Sequence, residues 1–334
     1  MRVCASASPS PQPSPASERG SPAPVADMAA QRARLPDARW HFQHGPMDIV
    51  IGAEGDAQAV AEAHEAAWCR FMPLLDELVA ELPQLRLPVR SCDCPLTGIV
   101  ARRMWKACHP YRDAFITPMA AVAGAVAEEL IGAYQRPGIS RAWVNNGGDI
   151  ALHLAPGHAV RIGLYADLAR FDARQARAGV DIDGRFSVSA ALPVRGVATS
   201  GWRGRSFSLG IADSVTVLAR SASAADAAAT VIANAVNIDD PRIVRRPACE
   251  LKDDTDLGAI PVTVNVPALN PPDIERALRN GARRACELRA TGLVWSAALV
   301  CQGRLLTTDD DSIALLPAAG LQRATLPQIG SVFA

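Results

Sequence analysis

The stretch from Val197 to Asn237 limits what the chain can build. Its first part, Thr199 to Gly210, holds three glycines and four hydroxyl residues, with Arg203 and Arg205 among them. A loop of that composition brings backbone N–H groups and cations close to an anionic ligand. An Ala-rich helix follows and carries Asp226, Thr230 and Asn234 at i, i+4 and i+8. That spacing stacks the three on one helix face. Their neighbours are Ala and Val, so the face is packed rather than bathed in water. A carboxylate and a hydroxyl one turn apart suit a hard cation, which takes oxygen ligands. The local alternative is that Asp226 caps its own helix and Thr230 bonds the carbonyl one turn back. Periodicity leaves both readings open.

The rest of the composition removes several function classes. Apolar residues make up 49 % and charged residues 20 % of 334, which supports a full core. Lys+Arg and Asp+Glu both number 34, so bulk charge gives no sign of a nucleic-acid partner. No uncharged run of 18 apolar residues exists, and no membrane span is expected. The eight cysteines are scattered and no secretory signal precedes them, which predicts a reduced, cytoplasmic compartment. Cys92, Cys94 and the Cys108–His109 pair lack the C-x-x-C spacing of a structural zinc site.

Residues 1–34 are rich in Ser and Pro and predict a disordered extension, with Met28 as an alternative start. One domain is expected over 35–310, followed by a loosely attached tail over 311–334. A hairpin turns at Gly45–Pro46, and a long helix runs from Asp56 to Leu82 with a kink at Pro73. Another helix covers about 96–108. Thr117–Pro118 then reads as N-cap and first position of a small-residue helix, whose backbone something must approach closely. Asn145–Asn146–Gly147–Gly148 is the turn of a hairpin, with Asp149 just beyond it. Further strands fall at 159–165, 185–191, 194–199, 213–219 and 262–266. Lys252 to Asp256 reads as solvated surface. A helix from Pro271 and a hairpin turning at Gln302–Gly303 close the pattern. Helices and strands mix throughout, an α+β class.

Five segments occur in one order: 117–128, Val-Asn-Asn-Gly-Gly-Asp-Ile at 144–150, Ala-Thr-Ser-Gly at 198–201, 208–217, and Ala-Asp-Ala-Ala-Ala-Thr at 225–230. Together they resemble the UPF0280 family, a branch of the ApbE-like superfamily, over about Arg39 to Thr307. The resemblance implies an ApbE-like, T-fold-related architecture of mixed sheets with packed helices. The ApbE flavin transferases bind FAD and a divalent cation such as Mg2+ and move FMN onto a Thr of a target protein. By that resemblance Asp226 and Thr230, with the Ala120 carbonyl, match the metal positions. Gly147, Gly148 and Asp149 match the Gly-Gly-Asp turn, and Thr199, Ser200 and Gly201 the loop beside the nucleotide. Arg203 and Arg205 would pair with phosphate oxygens.

The chain also departs from that pattern. Trp202 to Ala212 contains no His where the transferases carry one, and Ala123 stands in place of a Lys. Both losses weigh against group transfer, which relies on positioned charge. The resulting expectation is a flavin-nucleotide binder, with FMN transfer or FAD hydrolysis as its reaction. Two other classes remain at this stage. The family resemblance permits a role in sulfide assimilation into homocysteine, and the Ala-rich surface permits a non-enzymatic scaffold or homodimer.

Overall fold

The computed structural model describes residues 29–91, 93–164, 184–308 and 314–317. Its centre is a ten-stranded sheet. In chain order its strands are β1 (Gln31–Arg34), β2 (Trp40–His44), β3 (Met47–Gly55), β4 (Ile139–Asn146), β5 (Asp149–Leu154), β8 (Gly196–Ser200), β9 (Ser214–Ala219), β12 (Ser296–Cys301), β13 (Arg304–Thr307) and β14 (Ala314–Pro317). They lie side by side in that same order. Every pairing among the described strands is antiparallel, so helices and strands mix while strand directions do not. Two small hairpin sheets stand apart: β6 (Ala159–Leu164) with β7 (Gly184–Ser189), and β10 (Val244–Pro247) with β11 (Pro261–Asn265).

Period-two alternation separates the two faces of the sheet. On β8 and β9, Ala198, Val215 and Val217 enter the large helix-covered core, while Val197 and Leu218 enter a smaller core on the other face with Ile162 and Val188. On β5, Ala151 faces the helices, and Ile150 and Leu152 face away. The helices are α1 (Ala57–Phe71), α2 (Leu74–Ala80), α3 (Leu82–Leu85), α4 (Ile99–Cys108), α5 (Val122–Ile131), α6 (Ala222–Ala235) and α7 (Pro271–Ala290). Asp56 caps α1, accepting the N–H groups of Gln58 and Ala59 at 3.0 Å. Proline at 73 divides the expected long helix into α1 and α2, because its ring cannot supply the N–H a continuous helix needs.

Small residues set the distance between α5, α6 and the sheet. A Cβ on Gly124 would stand 2.3 Å from the Ala222 carbonyl oxygen, and one on Gly196 would stand 2.1 Å from Ser221. The close approach expected of the small-residue helix is therefore helix against helix, with α5 packed on α6, β4 and β5.

Several boundaries differ from the sequence reading. Gln31–Arg34 form an edge strand on β2, so part of the expected 1–34 extension joins the sheet. Ala314–Pro317 pair with β13, so part of the expected tail joins the sheet. Met28 and Cys92 lie outside the described residues. The helix expected from Thr117 starts as a short 3-10 turn over Pro118–Ala121 before α5, and the Thr117 side chain makes no cap bond. No described helix is long and apolar enough to cross a membrane.

Candidate functional site

Three parts of the fold converge beside the first turn of α5: the β4–β5 turn, the end of β8, and the face of α6 that carries Asp226. Gly147 and Gly148 make the turn with φ of +66° and +111°, a conformation that favours glycine. The Gly148 N–H donates to Asn145 Oδ1 at 2.8 Å, which fixes the turn from within. Asp149 opens β5 and is buried. Its carboxylate accepts the Thr199 N–H at 3.2 Å, because β8 runs antiparallel beside β5. The Thr199 and Thr216 hydroxyls are 2.9 Å apart across β8 and β9. Ser200 ends β8 partly exposed, and Gly201 follows it buried against the Asp213 backbone.

The two arginines of the loop have different surroundings. Arg203 pairs with Asp213 at 3.2 Å, and its guanidinium lies 5.1 Å from the Trp202 ring centroid. Arg205 forms no hydrogen bond or ion pair among the described residues. Its guanidinium rests on the Gly147 turn, where a Cβ would come within 1.7 Å of Nη2, and it acts on Asp149 through space.

Asp226 points across to the neighbouring helix. Its Oδ2 accepts the Gly124 N–H at 2.9 Å. The alternative of a cap for its own helix is thereby excluded, since Ser221 caps α6 and Asp226 answers the N-terminal amides of α5. Burial pushes the Asp226 carboxyl up to about 7, against the lowering effect of the Gly124 and Ala123 amides. Burial, with the Asp226 charge nearby, also raises Asp149 well above the usual carboxylate range. The site thus holds two interacting acids that burial disfavours as anions, an arrangement that a positive ligand relieves.

Two further oxygens lie on α6 and on the turn packed against it. The Thr230 hydroxyl, partly buried, has no hydrogen-bond partner among the described residues, so it does not bond the carbonyl one turn back. The Gly124 N–H, which a continued helix would return to the Ala120 carbonyl, goes to Asp226 instead. The 118–121 turn that carries Ala120 packs against α6. One carboxylate, one hydroxyl and one backbone carbonyl are oxygen donors of the kind Mg2+ or Ca2+ takes. Among the described residues, no group of three or more His, Cys, Asp or Glu side chains could hold a metal. Cys108 is buried with its thiol toward the Pro118 carbonyl, while Cys69 and Cys249 are exposed elsewhere.

Sequence reasoning missed other residues here. Asn146 Nδ2 donates to the Ala123 carbonyl at 3.2 Å, tying the glycine turn to α5. Asn234, third in the i, i+4, i+8 series, accepts the Leu209 N–H at 2.9 Å and so holds the loop rather than facing a ligand. Asp256, read as solvated, accepts a hydrogen bond from the buried Thr117 hydroxyl. The Asn-Asn pair before Gly147 was visible as a turn signal; nothing in the local sequence marked Asp256.

Comparison with known proteins finds both a family model and relatives. A family model described as AbpE bacteria matches residues 32–307. A UPF0280 protein of Methanopyrus kandleri is 38 % identical over 213 residues, covering 62 % of this chain and 78 % of the relative. One from Methanosarcina barkeri is 33 % identical over 217 residues, covering 64 % and 79 %. Among solved structures, the ApbE protein of Thermotoga maritima is 12 % identical with a TM-score of 0.40, over 86 % of this chain and 96 % of that one. On the extent of the family match and the identity to these relatives, the chain belongs to the UPF0280 group of ApbE-like proteins, the family described as AbpE bacteria.

Proposed function

We propose that the protein binds a flavin nucleotide, FAD or FMN, together with a divalent cation such as Mg2+, between the β4–β5 turn, the β8 loop and the α5–α6 pair. The observation that carries the cation is Asp226, a carboxylate destabilised by burial, close to a second acid, Asp149, and one turn from the Thr230 hydroxyl, which has no hydrogen-bond partner among the described residues. The flavin comes from the five-motif resemblance to the flavin transferases.

In this reading Asp226, Thr230 and the Ala120 carbonyl hold the cation. When bound, the cation supplies Lewis-acid stabilisation to pyrophosphate oxygens. Gly147 and Gly148 let the backbone approach the ligand without a Cβ in the way. Arg205, without a hydrogen-bond or ion-pair partner among the described residues, offers a two-pronged donor to phosphate. Arg203 is committed to Asp213 and serves the loop's shape. Asp149 holds the Thr199 backbone and, through it, the Thr-Ser-Gly segment.

The loop carries no His, Ala123 stands where the transferases carry a Lys, and Asp226, the group that titrates near 7, is given to the cation, so binding is the primary activity and FMN transfer or FAD hydrolysis the reaction to assay. The test is titration of the purified protein with FAD, following flavin fluorescence with Mg2+ and with a chelator, then with Asp226→Ala. Cation-dependent binding that the variant loses supports the reading. Absence of flavin binding to the intact protein under both conditions refutes it.

A further inference from the structure

We propose that Asp256 is a positioning residue for the cation site: it pins Thr117 and thereby sets the short turn that presents the Ala120 carbonyl. This rests on the cation reading above and adds a residue to it.

The turn Pro118–Ala121 has little local reason to hold one shape. Thr117 occupies its N-cap position, yet its hydroxyl makes no cap bond. The hydroxyl is instead a donor to Asp256 Oδ2, 139 positions away in the chain. Thr117 is only 2 % exposed, so the bond is shielded from competing water. From below, the Cys108 thiol meets the Pro118 carbonyl at 4.0 Å. Within the turn, the Ala120 N–H donates to the Thr117 carbonyl at 3.1 Å, so Thr117 tethers the turn directly at Ala120.

The segment that delivers Asp256 is itself locked in place. Asp254 makes a two-pronged pair with Arg86, with Nη2 to Oδ2 at 2.7 Å. The Leu257 N–H donates to Thr255 Oγ1 at 3.3 Å, and the Cys249 N–H to the Gly258 carbonyl at 2.8 Å. A charged loop that could lie in solvent is therefore anchored on both sides of the residue that reaches the turn. The buried Cys108 thiol, which meets the Pro118 carbonyl, feels the charges of both Asp226 and Asp256. Ligand-orienting partners of this kind commonly change metal affinity when removed.

The experiment measures Mn2+ affinity of the full chain by electron paramagnetic resonance, without flavin, for wild type, Asp256→Ala, Thr117→Val and Thr117→Ser, with a melting curve for each. The expected result is a loss of about ten-fold or more in affinity for Asp256→Ala and Thr117→Val. Thr117→Ser, which keeps the hydroxyl, stays near wild type. The double variant Asp256→Ala/Thr117→Val is no weaker than the weaker single one, because both remove the same bond. If wild type binds Mn2+ and the single variants bind equally well, Asp256 is only a loop tether and the inference is overturned. If affinity falls but Thr117→Ser fails to restore it, the hydroxyl bond is not the cause and the inference is likewise overturned. If wild type binds no Mn2+, the underlying cation reading fails, a result separable from the other two.

Discussion

Gly124 donates its backbone N–H to the Asp226 carboxylate at 2.9 Å, joining the first turn of α5 to the second turn of α6. One bond has two consequences. It satisfies an amide that every helix start leaves orphaned, and it turns a carboxylate toward the Ala120 turn. The absence of a side chain at 124 makes it possible, because the two helices touch there through backbone and Cβ atoms.

Gly124→Ala should therefore disturb stability and site together. The added methyl would lie 2.3 Å from the Ala222 carbonyl oxygen and 2.9 Å from Asp226 Cβ, contacts that only a shift of α5 against α6 can relieve. Overpacking of this kind destabilises by about 1–3 kcal/mol. Urea denaturation should show that loss, and cation affinity should fall with it. An alanine variant of wild-type stability would mean that the two helices part more easily than their packing implies.

The two loop arginines should separate cleanly. Arg205→Ala removes a guanidinium with no ion pair among the described residues and should leave the melting temperature unchanged, while weakening binding of a phosphate-bearing ligand about ten-fold. Arg203→Ala strips the nearly buried Asp213 of a charged partner and should destabilise the fold by about 1–3 kcal/mol. Calorimetry with FAD and thermal melts of both variants give the comparison. Equal effects on affinity would place both side chains at the ligand.

The sequence carried the elements better than it carried their partners. The turn glycines, the Pro73 break and the period-two strands follow from local rules, and all were legible. Asp226 and Thr230 were visible as one helix face, but periodicity could not say whether that face met its own backbone or another helix. The answer depends on α5, which arrives 102 residues earlier. Arg203 and Arg205 look equivalent in the sequence and differ only because Asp213 lies within reach of one. Lys252 to Asp256 has the composition of a solvated run, and its first residues are exposed; only the tertiary approach of Thr117 singles out Asp256. Local chemistry fixes turns and faces, whereas pairing across long sequence separations fixes roles.

The two site acids also set a pH dependence. Asp226 titrates near 7 in the folded protein against 3.8 in the unfolded reference, so the native state holds that proton more tightly. Its contribution to stability is greatest below 3.8 and is lost as the pH rises through about 7. Asp149, raised by burial and by Asp226, acts in the same direction. A saturating divalent cation favours the ionised form and should cancel part of the loss. Chemical denaturation at about pH 5.5, inside that window, and at about pH 8, above it, with and without Mg2+, tests this. In Asp226→Asn the slope attributable to this group should disappear; an unchanged profile in that variant would assign the pH dependence elsewhere.

A second buried group opposes that trend and can be removed separately. His64 on α1 is buried, with Nδ1 2.7 Å from the Tyr134 hydroxyl. Burial, aided by the charge of Arg34, lowers its pKa from 6.5 to about 4. The unfolded chain takes up this proton more readily than the folded one. The stability it confers is present above 6.5 and is lost as the pH falls toward about 4. Across that interval Asp226 therefore stabilises on acidification while His64 destabilises, and the net wild-type curve is flatter than either alone. His64→Gln, which cannot be protonated there, should expose the rising acid limb that Asp226 supplies. Tyr134→Phe instead leaves the ring nitrogen without its partner and should lower stability by about 1–3 kcal/mol at neutral pH. Denaturation midpoints for the two variants from pH 4 to 8, about the span of both titrations, decide the matter. Should His64→Gln follow the wild-type curve over the acid half, the imidazole does not resist its proton and the opposing-slope account fails.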